Sequence, residues 1–277
     1  MLKFNANIVG IGDSGVSAVN EICRSGVTGF KTITLSSSDK ARFSRADHVL
    51  VSKIEFVDNC GKYFLSPNTA VFVLTDVSSE LEVSLACEIA SITLRNGALP
   101  VCVAFMPSSR DECFEEALES LGELRDVFSG IVRFNEGYVD SFYRECARFF
   151  TTLSCSMSLN ATFPVKNFEE MKDVFSKKSD IYFASVVTKE KYDSHLYNSK
   201  CMCLKLCAHM TLDEAESISY FYASAGDISQ AVLDFYRGPI EKINLGYLSN
   251  RTTYISENAL ELKEDEHLFS VICCEKG

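Results

Sequence analysis

A glycine-rich turn near the N-terminus constrains the fold more than any other stretch of this sequence. The apolar residues Ile8 and Val9 lead directly into Gly10, Gly12 and Gly15, and apolar residues at helical spacing follow. Glycine permits a tight turn because it has no Cβ, and the first N–H groups of a helix can receive an anion. The stretch therefore predicts a strand, a turn and a helix, with the G-x-G-x-x-G spacing typical of nucleotide-binding loops.

The same motif also has a purely structural interpretation. A tight strand-to-helix turn requires glycine whether or not a ligand is present. Asp13 places a negative charge at the position that a phosphate would occupy. The motif alone leaves both interpretations open.

Strand and helix patterns alternate over the first 135 residues. Strands are expected at residues 31–35, 49–51, 71–74, 101–105 and 130–134. Capping-box patterns at Ser79 and Ser109, each followed three residues later by glutamate, predict two helices in addition to the one after the glycine turn. This alternation implies parallel strand pairing, so we expect an α/β fold with a doubly wound, mostly parallel sheet.

A long amphipathic helix is predicted next, followed by a different arrangement. Apolar residues recur at helical spacing from Val139 to Leu153, a stripe that indicates core packing. After a polar junction, we expect helices at residues 168–175 and 228–236 and one opened by a third capping box at Thr211. Strands are expected at residues 181–187, 202–207, 243–248 and 267–273. We therefore predict an α/β domain (1–135), a central helix with its junction loop (136–160) and a smaller α+β domain (161–277).

Composition excludes several classes of function. The formal net charge of −11 argues against non-specific nucleic-acid binding, which needs clustered lysine and arginine. No run of eighteen apolar residues predicts a transmembrane helix, and no signal peptide is recognisable. Twelve cysteines without a secretory signal favour reduced thiols, and hence a cytoplasmic location. The cysteine cluster Cys201, Cys203 and Cys207 is better explained as buried small residues than as a metal site, so no metal is expected.

Four stretches resemble the tubulin/FtsZ superfamily, and specifically FtsZ. Residues 10–20 are similar to the family loop G-x-G-G-G-G-x-N-A-V-N, and residues 71–74, 86–90 and 96–103 look like its fourth strand, following helix and next strand. The helix at 136–155 resembles the central helix that joins two domains, with residues 159–163 at the position of an L-x-N-x-D-F loop. Residues 210–215 resemble the start of the main helix of the C-terminal domain.

The departures from this family pattern concern its nucleotide site. A glycine-rich G-G-G-T-G-T-G loop binds the phosphates in FtsZ, whereas residues 76–82 contain no glycine and three carboxylates. By position, the two water-activating aspartates of the family become Thr162 and Val165, and the asparagine that contacts the base becomes Ser36. Asn20 and Asn135 could be retained contacts, although Asn135 serves equally well as a helix N-cap.

The resemblance implies a non-hydrolysing structural or regulatory protein. It would bind itself or another FtsZ-like or cell-division protein, and it would need no cofactor. Its vestigial nucleotide site would consist of Gly10, Gly12, Gly15, Asn20 and Asn135. If the chain assembles with itself, the acidic residues 76–82 are expected to meet Lys166, Lys172, Lys177 and Lys178 of the next copy.

Two other functions stay open. The first is a divergent GTP-binding GTPase that polymerises. The second is an NAD-dependent Rossmann enzyme, which needs an acidic residue at the end of its second strand. The chain has serines at 36–38 instead, with Asp39 later.

Overall fold

Ten strands form one sheet in this computed structural model, which describes residues 4–52, 54–55, 66–134, 139–158, 161–162, 164–175, 180–189, 215–228, 251–264 and 266–275. The strands are β1 (Asn5–Ile11), β2 (Lys31–Leu35), β3 (His48–Leu50), β4 (Thr69–Asp76), β5 (Leu99–Phe105), β6 (Gly130–Arg133), β7 (Asp180–Thr188), β8 (Ala215–Ser224), β9 (Arg251–Ser256) and β10 (His267–Glu275). Their order across the sheet is β3-β2-β1-β4-β5-β6-β7-β10-β8-β9.

Five α-helices connect or flank the strands in the described part of the chain. They are α1 (Gly12–Arg24), α2 (Glu80–Arg95), α3 (Phe114–Val127), α4 (Val139–Met157) and α5 (Phe168–Phe175). A 3-10 helix (Asp39–Phe43) follows β2. No helix of the described residues is both long enough and apolar enough to cross a membrane.

Most neighbouring strands run parallel, which confirms the predicted fold class. Every pair from β3 to β7 in the sheet order is parallel, and so is the pair of β8 and β9. The exception is β10, which lies antiparallel to both β7 and β8. Since β6 pairs with β7, the sheet continues from the first half of the chain into the second. The division at residues 135 and 160 stays a prediction.

Alternate residues of the central strand β4 pack into two different cores. Phe72 and Leu74 face the core formed with α1, α4 and α5, whereas Val71 and Val73 face the core formed with α2 and α3. A strand that is buried on both faces has a continuous apolar sequence, as residues 70–74 do. The helices therefore cover both faces, as a doubly wound sheet requires.

The predicted amphipathic helix α4 covers one face of this sheet with phenylalanine side chains. Phe72 of β4 is fully buried and meets Phe149 and Phe150 edge-to-face, with ring centroids 6.1 Å and 5.3 Å away. Phe175 of α5 reaches the same ring at 5.5 Å. Edge-to-face pairs of this kind each add about 0.5–1.5 kcal/mol beyond the apolar area that they bury. The aromatic stripe is therefore core.

Two of the predicted capping boxes do not form as the sequence indicated. Ser79 occupies the N-cap position of α2, but its side chain makes no capping hydrogen bond, and the Glu82 carboxylate accepts from Asp76 N at 3.2 Å instead. The helix expected at Ser109 begins at Phe114. A turn precedes it, because Ser108 N donates to the Asp111 carboxylate at 2.9 Å.

The prediction of a helix that starts at Thr211 is wrong for the residues after Glu214. Residues 211–214 lie outside the described residues, but Ala215–Ser224 is strand β8, paired with β10 on one side and β9 on the other. Its sequence AESISYFYAS is rich in the β-branched and aromatic residues that favour strands. Two partner strands therefore outweigh the local capping pattern.

Some predictions fall outside the described residues. These are the strands at 202–207 and 243–248, nearly all of the helix at 228–236, the cysteines at 201, 203 and 207, and Asn135, Lys177 and Lys178. By contrast, the helix at 168–175 and the strands at 181–187 and 267–273 are confirmed within one or two residues at each end.

An ion cluster marks the place where β6 meets β7. Asp180, the first residue of β7, is only 4% exposed. Its carboxylate accepts two hydrogen bonds from Arg125 of α3, at 3.2 Å and 2.8 Å, and one from Arg133 of β6 at 2.8 Å. Both arginines are themselves partly exposed. The cluster therefore ties α3, β6 and β7 together around one buried charge.

Removing the carboxylate should destabilise this junction. We expect Asp180→Asn to lower the free energy of unfolding by about 2 kcal/mol, less than a fully buried pair would lose because the arginines retain some hydration. The exposed pair of Glu169 and Lys172, whose atoms lie 2.9 Å apart, supplies the control. Glu169→Gln should change stability by less than about 0.5 kcal/mol. Urea unfolding measures the stability change of each variant. Equal changes in the two variants would contradict a stabilising role for the buried Asp180 cluster.

Candidate functional site

A cavity of about 550 Å³ opens at the carboxyl ends of β1 and β2, beside the first turns of α1 and α2. In open parallel sheets this edge is where ligands bind. Its wall contains the carboxylates of Asp13, Glu82 and Glu88. The remaining lining residues are one glycine, small hydroxylic residues and aliphatic residues: Gly12, Ser36, Ser37, Ser38, Ser52, Ser79, Ser84, Ile11, Leu35, Val51, Leu81 and Leu85.

The backbones of Gly10 and Gly15 lie against each other at the turn between β1 and α1. A Cβ on Gly10 would lie 2.5 Å from the Gly15 carbonyl oxygen, and a Cβ on Gly15 would lie 2.5 Å from the Gly10 carbonyl carbon. Neither position can carry a side chain unless the backbone moves. These two glycines are therefore required by the packing of α1 against β1, whether or not a ligand is present.

Gly12 borders the cavity, and Glu82 occupies the space beside it. Gly12 has φ +64°, in the left-handed region that favours glycine, and any Cβ there would collide with the Glu82 carboxylate. That carboxylate comes from the first turn of α2 and is anchored by the N–H of Asp76. A carboxylate of the chain itself thus lies at the N-terminus of α1, where a helix favours negative charge.

The pKa of Glu82 is raised to about 7, mainly because burial removes hydration from the carboxylate. The charges of Asp76 and Asp13 contribute to the rise, and the hydrogen bond from Asp76 N opposes it. At neutral pH this carboxyl group is therefore close to half protonated. The raised pKa reflects first the loss of hydration on burial and then the negative charges of Asp76 and Asp13.

Asp13 is held by the segment after β2. It accepts a hydrogen bond from Ser38 Oγ, and its Oδ2 lies 3.4 Å from the exposed ammonium group of Lys40. The hydrogen bond from Ser38, with smaller help from Lys40, lowers the pKa of Asp13. Asp13 is therefore ionised at neutral pH and repels a second anion.

Asp76 adds a third carboxylate at the end of β4. Ser78 donates to it from its backbone N at 3.0 Å and from its hydroxyl at 2.6 Å, and Ser14 Oγ lies 3.4 Å away. The 76–82 loop thus binds its own carboxylates with its own N–H and hydroxyl donors. These donors are therefore occupied by acceptors of the chain itself.

Asn20, predicted as a nucleotide contact, holds another segment of the chain. Its side chain donates to the carbonyl of Phe43 at 3.1 Å and accepts from Arg45 N at 2.6 Å. It is not among the cavity-lining residues. Five residues were predicted as a vestigial site. The structure places Gly12 in the cavity lining, whereas Gly10, Gly15 and Asn20 do not line the cavity, and Asn135 lies outside the described residues.

The sequence did not indicate the Glu82 contact with Gly12 or the roles of Ser38 and Lys40. The negative charges of Asp13 and of the 76–82 loop were visible in the sequence, but no local pattern shows which side chain fills the turn. Within the described residues, no group of three or more histidine, cysteine or acidic side chains has the arrangement of a metal site. The acidic side chains of the cavity wall can hold a proton or attract a cation.

Solved structures with the same arrangement of elements decide the fold. FtsZ from M. jannaschii, solved as an empty dimer, superimposes with a TM-score of 0.78 at 15% identity, covering 98% of this chain and 88% of that one. CetZ from Methanosaeta thermophila gives a TM-score of 0.71 at 16% identity, with 99% and 87% covered. The chain has the FtsZ fold. TubZ of Bacillus thuringiensis serovar israelensis shares this fold. It superimposes with a TM-score of 0.66 at 9% identity, covering 100% of this chain and 87% of that one.

Sequence comparison alone adds nothing to this assignment. No protein-family model matches the chain, and no curated protein matches it. The FtsZ fold is thus retained at identities where individual residues cannot be carried over without structural evidence.

Thr162 and Val165, which the sequence resemblance predicted at the positions of the water-activating aspartates, make contacts within the chain. Thr162 donates its hydroxyl to Glu257 Oε2 at 2.8 Å, and the other carboxylate oxygen of Glu257 accepts from Ile228 N at 2.9 Å. Val165 is buried, and its N–H bonds to the carbonyl of Ser156 at 2.9 Å. Neither side chain can act as a base toward a neighbouring molecule.

The glycine contact can be tested by substitution. We expect Gly15→Ala to lower the free energy of unfolding by about 3 kcal/mol, which is near the upper end of the usual cost of overpacking. The alanine Cβ meets backbone atoms, which cannot rotate away as a side chain could. Gly122→Ala in α3 is the control, since a Cβ there has open space and alanine favours the helix by about 1 kcal/mol. Chemical denaturation should show opposite signs for the two variants. A Gly15→Ala protein as stable as the wild type would refute the packing argument.

Glu82 should make stability depend on pH. Its pKa of about 7 in the folded protein lies above the ordinary value of 4.5, so folding takes up a proton between these values. Stability therefore falls as pH rises through this window and stays lower above it. Glu82→Gln should remove the slope and stabilise the protein at pH 8 by about 1 kcal/mol, a figure reduced for its partial exposure to solvent.

Thermal unfolding between pH 5 and pH 8 measures this effect. Glu80→Gln, on the exposed side of the same helical turn, should keep the wild-type pH dependence. If the thermal stability of Glu82→Gln and of the wild type changes with pH in the same way, the pKa of Glu82 is not raised in the folded protein.

Proposed function

We propose that this chain is a non-hydrolysing cytoskeletal or regulatory protein of the FtsZ type, which acts in the cytoplasm through protein–protein assembly. The observation that carries the proposal is the Glu82 carboxylate at Gly12, with Asp13 and Asp76 nearby. A nucleotide phosphate would have to displace Glu82 and approach two further carboxylates. Like charges at such distances cost about 1–4 kcal/mol per pair near a protein surface.

The second half of the FtsZ-type active site supports the same proposal. A neighbouring subunit would present Thr162 and Val165, one bound to Glu257 and the other buried. Neither activates water. The carboxylates near Gly12 and the lack of a catalytic base at Thr162 and Val165 therefore both support a protein that does not hydrolyse nucleotide.

Assembly is proposed from the relatives. FtsZ of M. jannaschii was solved as an empty dimer and TubZ as a protofilament in its GDP form. The empty dimer supports contacts that do not require a bound nucleotide. Partners of this chain would be a second copy, or another FtsZ-like or cell-division protein.

The lysines proposed to meet the acidic loop of a second copy have acidic neighbours of their own. Lys166 lies 3.7 Å from Glu170, and Lys172 lies 2.9 Å from Glu169. Such exposed pairs are weak, so they do not prevent an intermolecular contact, but they reduce the net positive charge of this surface. This arrangement favours another protein over a second copy as the partner of the acidic loop.

A divergent GTPase is the second candidate. It is favoured by the cavity of about 550 Å³, which is large enough to hold a small ligand at the expected edge of the sheet. An NAD-dependent enzyme has less support, because serines at 36–38 line the cavity where an acidic residue would bind the ribose, and Asp39 does not line it.

Nucleotide binding and turnover separate these candidates. With excess GTP and Mg²⁺, we expect no phosphate release and no change in sedimentation. The double variant Asp13→Asn and Glu82→Gln should gain nucleotide affinity about tenfold relative to the wild type, because two repulsive charges are removed. Turnover by the wild type that is abolished by Gly12→Ala would establish the GTPase instead.

A further inference from the structure

The cavity beside Gly12 combines a negatively charged interior with an apolar rim. Asp13, Glu82 and Glu88 supply the carboxylates. At the mouth, Leu81 is 80% exposed and Val51 is 55% exposed, although both line the cavity. Large aliphatic side chains that are left in solvent at the edge of a cavity are typical of surfaces that bind another protein.

The charges of this cavity select a cation. Among the described residues that line it, every ionisable side chain is acidic. Lys40 approaches Asp13 from outside the lining, and its side chain is 60% exposed. Glu82 and Asp13 are therefore incompletely neutralised by the chain itself, and an incoming positive charge would relieve the repulsion between them.

The apolar rim selects the form of that cation. A lysine or arginine side chain has an aliphatic stem and a charged head, so the stem can pack on Leu81 and Val51 while the head reaches the carboxylates. Serine hydroxyls at 36, 37, 38 and 84 line the same space and can accept further hydrogen bonds from a guanidinium group. A small inorganic cation would leave the rim uncovered.

We propose that this cavity is a docking socket for an arginine or lysine side chain that a partner protein presents between apolar residues. The proposal deepens the assembly function given above, because it assigns the former nucleotide cavity to a partner and rests on that function. The partner is a different, basic protein. Two copies of a chain with net charge −11 repel each other, and its described lysines at 166 and 172 lie beside their own glutamates.

Peptide binding tests the socket directly. The probe is a fluorescein-labelled peptide, Gly-Ser-Leu-Arg-Leu-Ser-Gly, compared with the same peptide carrying neutral citrulline for arginine and with one carrying serine for both leucines. Fluorescence anisotropy with the 277-residue chain at low salt should show the arginine peptide binding at least tenfold more tightly than the citrulline peptide. Loss of the two leucines should weaken binding about fivefold.

Variants of the socket have matched controls on α3. Glu82→Gln or Asp13→Asn should each weaken binding of the arginine peptide about fivefold, and Leu81→Ser should remove the preference for leucine. Glu116→Gln and Leu118→Ser change an exposed acid and an exposed leucine on α3 that do not line the cavity, and they should bind like the wild type. Thermal unfolding of each variant confirms that it is folded.

The pH dependence supplies a second readout. A cation favours the ionised form of Glu82, which also faces Asp13 and Asp76, with Lys40 next to Asp13. Binding by the wild type should therefore tighten between pH 6 and pH 8, whereas Glu82→Gln should show no such change. If the affinity of the wild type for the arginine peptide does not change between pH 6 and pH 8, the proposed role of Glu82 is wrong.

Other outcomes distinguish this proposal from the proposed function. Equal affinity for the arginine and citrulline peptides, without GTP binding, would overturn the socket and leave the non-hydrolysing assembly function intact. GTP that binds the wild type and displaces the peptide would overturn both. Sedimentation that shows self-association abolished by Leu81→Ser would assign the rim to a second copy and overturn the basic partner.

Discussion

The close approach of the Gly10 and Gly15 backbones is the constraint on which the rest of the structure depends. It lets α1 begin directly after β1 and lie close against the sheet, where Val19 and Ile22 are buried. The same turn fixes Gly12 at the carboxyl edge of the sheet and so defines one wall of the cavity. Because packing alone requires these glycines, their presence in the turn does not depend on a ligand in the cavity.

Glu82 shows how the site can be stable without a phosphate. The N-terminus of α1 favours a negative charge, and α2 supplies one from the chain itself. The Glu82 side chain occupies the space at the turn, and its carboxyl group is close to half protonated at neutral pH. The stabilisation is incomplete, because burial and two neighbouring carboxylates oppose ionisation of Glu82. The carboxyl edge of this sheet therefore holds a negatively charged side chain of the chain itself, beside a glycine turn that packing alone requires.

Periodic patterns in the sequence were sufficient for most of the fold. The apolar run at residues 70–74 and the stripe along α4 are set by burial, and burial repeats along the chain at the period of the element. Their positions were predicted within a few residues for this reason. Strand β8 was missed because two strands distant in sequence stabilise it, and a local capping pattern at Thr211 contains no information about them.

The site was predictable only in its composition. The absence of glycine from residues 76–82 and the presence of three carboxylates there are local properties, so the sequence alone showed that this loop is negatively charged. Which carboxylate fills the turn depends on a contact between residues 12 and 82, which belong to different helices. The Ser79 pattern even assigned Glu82 to another partner, since a capping box would direct it to the Ser79 N–H. In the folded chain the N–H of Asp76, at the end of β4, binds it instead. Tertiary structure therefore decides between a local cap and a site residue.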